Sequence, residues 1–408
     1  MPITNSQDFD QRSVPGKGSF VTRGAIVSTC TAVLVVGVLA ACGGTNGDKG
    51  SPVPSLAGPP AGSSAAATAP PLAGSSVATP AATAPSAPAV PGSASSDGWS
   101  VAATVEVGGE PSSVAASPDG GNVYVAKGSG VDVIDTASNE VTSTINADAQ
   151  GLAVSPDGKY LYATYVDDNG ANGAVRVIDT TTNKVAATIN ASDQPDSPAI
   201  SPDDKHLYVP NMVAFGTVSV VDTASNKVTA GINGGNGVTA VAVSPDGKYL
   251  YVTVPGDIGT DSTVNVIDTA SNKAVGAMKV GFGLTGIAVS PDGKYLYAAS
   301  LAKPGAAVDP AHSWLNVVAT GSGKIAATIQ IGTAPKSMAV SPDGQYVFVT
   351  QLVDGTVSVI ATASNTMAAT IQVGGAPTDL AVSPDGKSVY VANADPGTPG
   401  VVNVIQRP

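Results

Sequence analysis

Three groups of side chains in this sequence are of types that could do chemistry. The first is an oxygen-rich run from Tyr165 to Gly173, in which Asp167, Asp168 and Asn169 offer the hard ligands that calcium takes. It lacks the ligand spacing of an EF-hand and the distal Glu, so a plain polar loop accounts for it equally. The second is Lys303 to Trp314, which holds Asp309, His312 and Trp314. One histidine cannot define a metal site. A tryptophan on an exposed loop could anchor a sugar or a partner protein, or simply cover a sheet edge. The third is a set of aspartates at Asp119, Asp157, Asp203, Asp246, Asp292, Asp343 and Asp385. An active site is not repeated seven times, and an Asp in a tight turn accepts hydrogen bonds from nearby backbone amides. No nucleophile–base pair, phosphate-binding glycine loop or metal-ligand set appears, and no residue is assigned as catalytic. The sequence points to no particular cofactor.

Those seven aspartates sit in a repeat. Ser-Pro-Asp-Gly, once Ser-Pro-Asp-Asp, begins at Ser117, Ser155, Ser201, Ser244, Ser290, Ser341 and Ser383, at spacings of 38 to 51 residues. A period in the forties, with short apolar runs between Gly and Pro, is the signature of a β-propeller. In the copy at Ser244 the pattern predicts strands over 238–243, 248–254, 263–268 and 273–278, with turns at Pro245-Asp246-Gly247 and Thr269-Ala270-Ser271-Asn272. Four antiparallel strands make one blade. The seventh copy has three strands, 379–382, 388–392 and 401–405. The missing fourth lies at the other end of the domain, where Ser100-Val101-Ala102-Ala103-Thr104-Val105 matches Lys184-Val185-Ala186-Ala187-Thr188-Ile189. The expected fold is all-β, a seven-bladed β-propeller over 98–408 closed by its N-terminal strand. A monomer is expected.

The N-terminal part reads as an address and a tether. Arg12, Lys17 and Arg23 precede an apolar run from Ala25 to Ala41, followed by Cys42 and two glycines. This is the layout of a signal peptide over 1–41, and Leu39-Ala40-Ala41-Cys42 resembles a bacterial lipobox. That resemblance implies lipidation of Cys42, cleavage before it, and export to the outer face of the cytoplasmic membrane or the cell envelope. An ordinary signal peptide and an uncleaved span remain as alternatives, although the run is short for a span. Residues 42–97 are mostly Ala, Pro, Ser, Gly and Thr, which cannot bury enough surface to offset ordering, and are expected to be a disordered tether.

Composition narrows the partners. Net charge is −12, with 19 basic and 31 acidic residues, which repels phosphate backbones, so no nucleic-acid partner is expected. The only two cysteines, Cys30 and Cys42, precede the repeats and leave none for a disulfide there.

The repeats resemble the YVTN family of bacterial and archaeal β-propellers. The resemblance is carried by Ser-Pro-Asp-Gly-Lys-Tyr-Leu-Tyr at Ser155–Tyr162, Ser244–Tyr251 and Ser290–Tyr297, and by Val-Asn-Val-Ile-Asp-Thr at Val264–Thr269. It implies an exported recognition or scaffold domain with no single shared activity. A departure is that the third-strand aspartate (Asp135, Asp179, Asp222, Asp268) becomes Ala319, Ala361 and Gln406 in the last copies. The leading expectation is therefore a membrane-anchored binding or scaffold module, with an envelope protein, a wall glycan or a small ligand as partner. The alternative is a lactonase- or lyase-like hydrolase using a metal held by acidic loops near the central opening.

Overall fold

The structure, a computed structural model, describes residues 98–407 except 168–172, 192–193, 213–215, 236, 257–259, 302–312 and 395–396. Cys42 and the expected signal and tether lie outside the described residues. Within them no helix is long and apolar enough to cross a membrane.

Seven four-stranded antiparallel sheets form the blades. The strands of a blade run in sequence order from the axis outward, and the first strands of successive blades neighbour one another around a closed circuit. Blade seven is the composite that the sequence calls for. Its first three strands are Pro377–Val382, Ser388–Asn393 and Val401–Gln406, and Ser100–Glu106 pairs with the last of these as the outer strand. The register runs from Ser100 opposite Gln406 to Glu106 opposite Val401.

The hydrophobic core is divided rather than central. Seven apolar clusters each fill the gap between two neighbouring blades, built from Val, Ile, Leu, Ala and second-strand Tyr. Both faces of each sheet are covered this way, which explains why the second strands lack a clean polar–apolar alternation.

Each repeated turn is wired identically. Ser117 Oγ donates to Asp119 Oδ1 and accepts from Asn122 N at 2.9 Å, while Asp119 Oδ1 accepts from Gly121 N at 2.9 Å. The same set recurs at Ser244, where Asp246 Oδ1 accepts from Ser244 Oγ at 2.7 Å and Lys248 N at 3.1 Å. The third-strand aspartates act likewise: Asp135 Oδ1 accepts from Ser138 N and Oγ, both at 2.8 Å.

Strand extents differ from the sequence pattern in blade four. Its first strand is only Val241–Val243, and just before it Thr253 Oγ1 accepts from Thr239 N at 3.2 Å and Ala240 N at 2.7 Å. Its fourth strand is longer than expected, Lys273–Gly281. All seven outer strands carry a bulge at the same place, as at Val177/Ile178, Val266/Ile267 and Val101/Ala103. Such a bulge blunts an exposed edge against pairing with another chain.

Candidate functional site

The topology gives the ring two different faces. One carries the repeated Ser-Pro-Asp turns and the third-to-fourth-strand turns. The other carries the second-to-third-strand loops and the blade connections, and it varies from blade to blade. Variable loops on a rigid scaffold are the usual place for recognition.

On the variable face, Asp167 is half-buried just after the second strand of blade two. Trp314 is half-buried too, in the third strand of blade five, opposite Ser300 and Gln330. Asp168, Asn169, Asp309 and His312 lie outside the described residues, so of the candidate ligand residues only Asp167 and Trp314 are described. Arg176 is already occupied: its guanidinium stacks on Tyr165 at 4.0 Å and bonds the backbone and carboxylate of Asp148 at 2.9 and 3.2 Å.

The axial opening is walled by the first strands. Two residues before each turn serine stands a half-buried alanine: Ala115, Ala153, Ala199, Ala242, Ala288, Ala339 and Ala381. Four residues before that serine the ring reads Ser113, Gly151, Ser197, Ala240, Gly286, Ser337 and Asp379. Asp379 is the one ionisable member of these two rings. It accepts from Ser113 Oγ at 2.8 Å and Val114 N at 3.0 Å in blade one, and from Ser337 Oγ at 2.6 Å in blade six. Ser113 Oγ in turn accepts from Leu152 N of blade two at 3.2 Å. Enclosure by protein pushes the Asp379 pKa up, against these hydrogen bonds that lower it. The carboxyl thus clasps the blades that meet at the closure. Sequence reasoning placed Asp379 in a strand and missed this role, although a lone charge in a column of Ser, Gly and Ala was visible.

A second polar ring runs through the third strands: Asp132, Arg176, Ser219, Asn265, Asn316, Ser358 and Asn403. Several members tie down the connection from the preceding blade. Asn265 Nδ2 donates to Gly234 O at 3.1 Å, Asn316 Nδ2 to Val280 O at 2.7 Å, and Ser219 Oγ to Ala191 O. Asp132 is buried and held by Lys127 Nζ at 2.7 Å and Thr144 Oγ1 at 2.6 Å. Lys127 also reaches Val107 O at 2.9 Å, joining the closing strand's connection to blade one.

On the turn face, grooves open between neighbouring blades. The groove between blades four and five has a volume of about 760 Å³ and is lined by Tyr249, Tyr251, Val275, Gly276, Met278 and Thr320–Gly323 among others. The next, between blades five and six, is smaller at about 450 Å³ and includes Asn365. Asp246 and Asp292 flank the larger groove, each held to a pKa of about 2 chiefly by its turn serine, and each paired with its own turn lysine at 3.0 Å.

Among the described residues no three His, Cys, Asp or Glu side chains converge as a metal-ligand set. A family model described as the Cytochrome D1 heme domain matches residues 202–318, from the first turn of blade three to the third strand of blade five. The chain is also similar to a solved structure, Kuenenia stuttgartiensis Hydrazine Synthase. The two are 22% identical, the alignment covers 74% of this chain and 96% of that one, and the TM-score is 0.64. That likeness is one of fold, a seven-bladed propeller. No curated protein sequence matches the chain. The residues described here do not fit a heme. The inner strands present no His, Cys or Tyr as an axial ligand, and Met338 is buried in the cluster between blades five and six. His206 sits in a second strand beside Tyr208, at a ring distance of 6.4 Å, and not on the axis.

Proposed function

We propose that this chain is a non-catalytic recognition or scaffold module, lipid-anchored through Cys42 at the outer face of a bacterial cytoplasmic membrane or in the cell envelope. Asp379 carries the reading for the propeller. The one ionisable group in its two axial rings is consumed in clasping blades six, seven, one and two, so the described wall is built to hold its own shape rather than to activate a substrate. The YVTN-like motifs support an exported recognition domain, and the lipobox-like Leu39–Cys42 supports the anchor. The partner is an envelope protein, a wall glycan or a small ligand met on the variable face, near Asp167 and Trp314.

The test uses the full chain expressed in a bacterium. Cys42→Ser should abolish incorporation of labelled palmitate and leave a longer, unprocessed chain that keeps residues 1–41. Cross-linking in intact cells should capture a partner whose yield falls with Trp314→Ala or Asp167→Ala. Absence of palmitate from the wild-type chain, or equal labelling of Cys42→Ser, would remove the anchor from this reading. Metal-dependent turnover of a lactone would replace recognition with the hydrolase alternative.

A further inference from the structure

The seven blade interfaces on the turn face share one slot, and what fills it can be read from strand register. The residue just before the start of each outer strand reaches back over the preceding blade. It is Asn139, Asn183, Asn226, Asn272 and Asn365 at five interfaces. Each takes φ of 53 to 57°, a left-handed conformation that Asn accepts readily. Asn183 Nδ2 donates to Ser143 Oγ of the preceding blade at 3.2 Å. At the closure the same position is Trp99, which precedes Ser100 in its pairing with Gln406. Its indole is buried edge-on against Tyr346 at 5.7 Å and Phe348 at 5.1 Å of blade six.

The interface between blades four and five has neither the Asn nor the Trp, and its groove of about 760 Å³ exceeds the 450 Å³ of the next one, which Asn365 narrows. The equivalent residue is Gly323, before Lys324 opposite Ala319. On the facing outer strand, the Ala or Ser of the other blades is Gly276, opposite Val266. Sterics do not demand the second glycine, since an added Cβ would meet only Val266 at ordinary contact distance, 3.9 Å. At the bulge Val275 replaces the Ala or Thr of other blades and is 60% exposed. The aromatic pair is still present, because Tyr249 and Tyr251 hold the register positions of Tyr346 and Phe348.

We propose that this slot binds an aromatic side chain presented by a partner polypeptide with basic residues beside it. The proposal rests on the reading of the propeller as a recognition module and goes beyond it, to a second binding surface on the turn face. The ring chemistry follows from the molecule's own precedent: an aromatic pair in the same register, Tyr346 with Phe348, holds an indole at the closure. A polypeptide occupant follows from that precedent too, since Trp99 is delivered by a chain segment lying along the blade. The basic flanks follow from the chain's net charge of −12, since Asp246 and Asp292 at the mouth are each already paired with a turn lysine.

The test titrates the full chain, with 13C-labelled tyrosine rings, with the capped peptide Lys-Ser-Trp-Ser-Lys, its Trp-to-Ala analogue, and N-acetyltryptophanamide. Saturable shifts at Tyr249 and Tyr251 are expected with the Trp peptide, at least tenfold weaker with the Ala peptide. Gly323→Asn, which installs the plug of five other interfaces, should weaken the Trp peptide at least tenfold. Gly276→Ala narrows the same slot without touching the turn, and should weaken it as well. Equal shifts from both peptides, or unchanged binding in both variants, would overturn the proposal. N-acetyltryptophanamide binding as tightly as the peptide would overturn the polypeptide occupant. Partner capture through Trp314 and Asp167 is read on the opposite face, so failure there and failure here are told apart.

Discussion

The interface between blades six and seven and that between blades four and five start from the same parts and end differently. Both present two aromatic rings from a second strand, Tyr346 with Phe348 and Tyr249 with Tyr251. At the first, Trp99 is 2% exposed and joins a cluster that includes Val389, Val391 and Ile405 of blade seven. At the second, Gly323 and Gly276 leave the space open to solvent. Blade seven is the one blade whose third and fourth strands are not joined by a hairpin, so its outer strand is held by the backbone ladder to Val401–Gln406 and by side chains such as Trp99. Blades four and five are covalently continuous through a complete hairpin each, and can leave a slot open. A repeat fold holds by the sum of its neighbour interfaces, so one can be given up where the others suffice.

The largest expected effect tests the filled slot. Trp99→Ala removes a buried indole and should cost about 3–5 kcal/mol, read from urea unfolding of the full chain. A loss below about 1 kcal/mol would mean that the strand pairing of Ser100–Glu106 holds the ring by itself, and would break the contrast between the two slots. Next comes the clasp on the inner side of the same closure. Asp379→Ala leaves Ser113 Oγ, Ser337 Oγ and the amide of Val114 without their acceptor, at a cost of about 1–3 kcal/mol. Asp379→Asn keeps the shape and an acceptor oxygen, and should recover part of that. Because the Asp379 pKa is raised in the fold, its ionised form opposes folding, and the wild-type advantage over Asp379→Asn should grow as pH falls.

Much of this architecture was legible in the chain itself. Seven Ser-Pro-Asp turns gave the blade count, and the likeness of Ser100–Val105 to Lys184–Ile189 gave the closure. Those signals are repeated positions within a blade, and even the closure, where Ser100 meets Gln406, shows as a copy of another blade's fourth strand. The slots were not legible for the opposite reason. Trp99 stands one residue before the matched strand, in the Asn139 column, and Gly323 and Gly276 break their own columns. Yet nothing in a repeat's own sequence says that Gly323 of one blade faces Gly276 of the blade before it. The clasp is similar, since Asp379 meets Ser113 across 266 residues of chain. Cys42, Asp168, Asn169, Asp309 and His312 lie outside the described residues, so the anchor and most of the loop ligands rest on sequence alone.

The open slot is tested by adding to it. Gly276→Ala should raise stability by about 0.5–1 kcal/mol, because glycine in a strand interior carries an entropic cost and the added methyl meets only Val266. Gly216 is the control: an added Cβ there would lie 2.5 Å from Val238 N, so Gly216→Ala should destabilise. If Gly276→Ala destabilised as Gly216→Ala does, the glycine would be a packing requirement and the slot an accident of it.

The smallest effect asks whether the slot's carboxylates differ from those at a plugged interface. Asp246 borders the open slot, while Asp157 belongs to blade two, whose interface with blade three is plugged by Asn226. Both are held at a pKa of about 2 against an ordinary 3.8, Asp246 chiefly by Ser244 and Asp157 chiefly by Lys159. A depressed folded pKa contributes stability that is fully present above 3.8 and is lost as pH falls toward 2. Both groups are largely solvated and their lysine pairs are exposed, so Asp246→Asn and Asp157→Asn should each cost less than about 1 kcal/mol at pH 6. The cost should shrink through that window and disappear near pH 2, as read from urea midpoints across the range. Equal curves for the two variants would locate the difference between open and plugged slots wholly in the missing side chains at 276 and 323. A cost for Asp246→Asn that persisted at pH 2 would show that its side chain supports the slot by something other than charge.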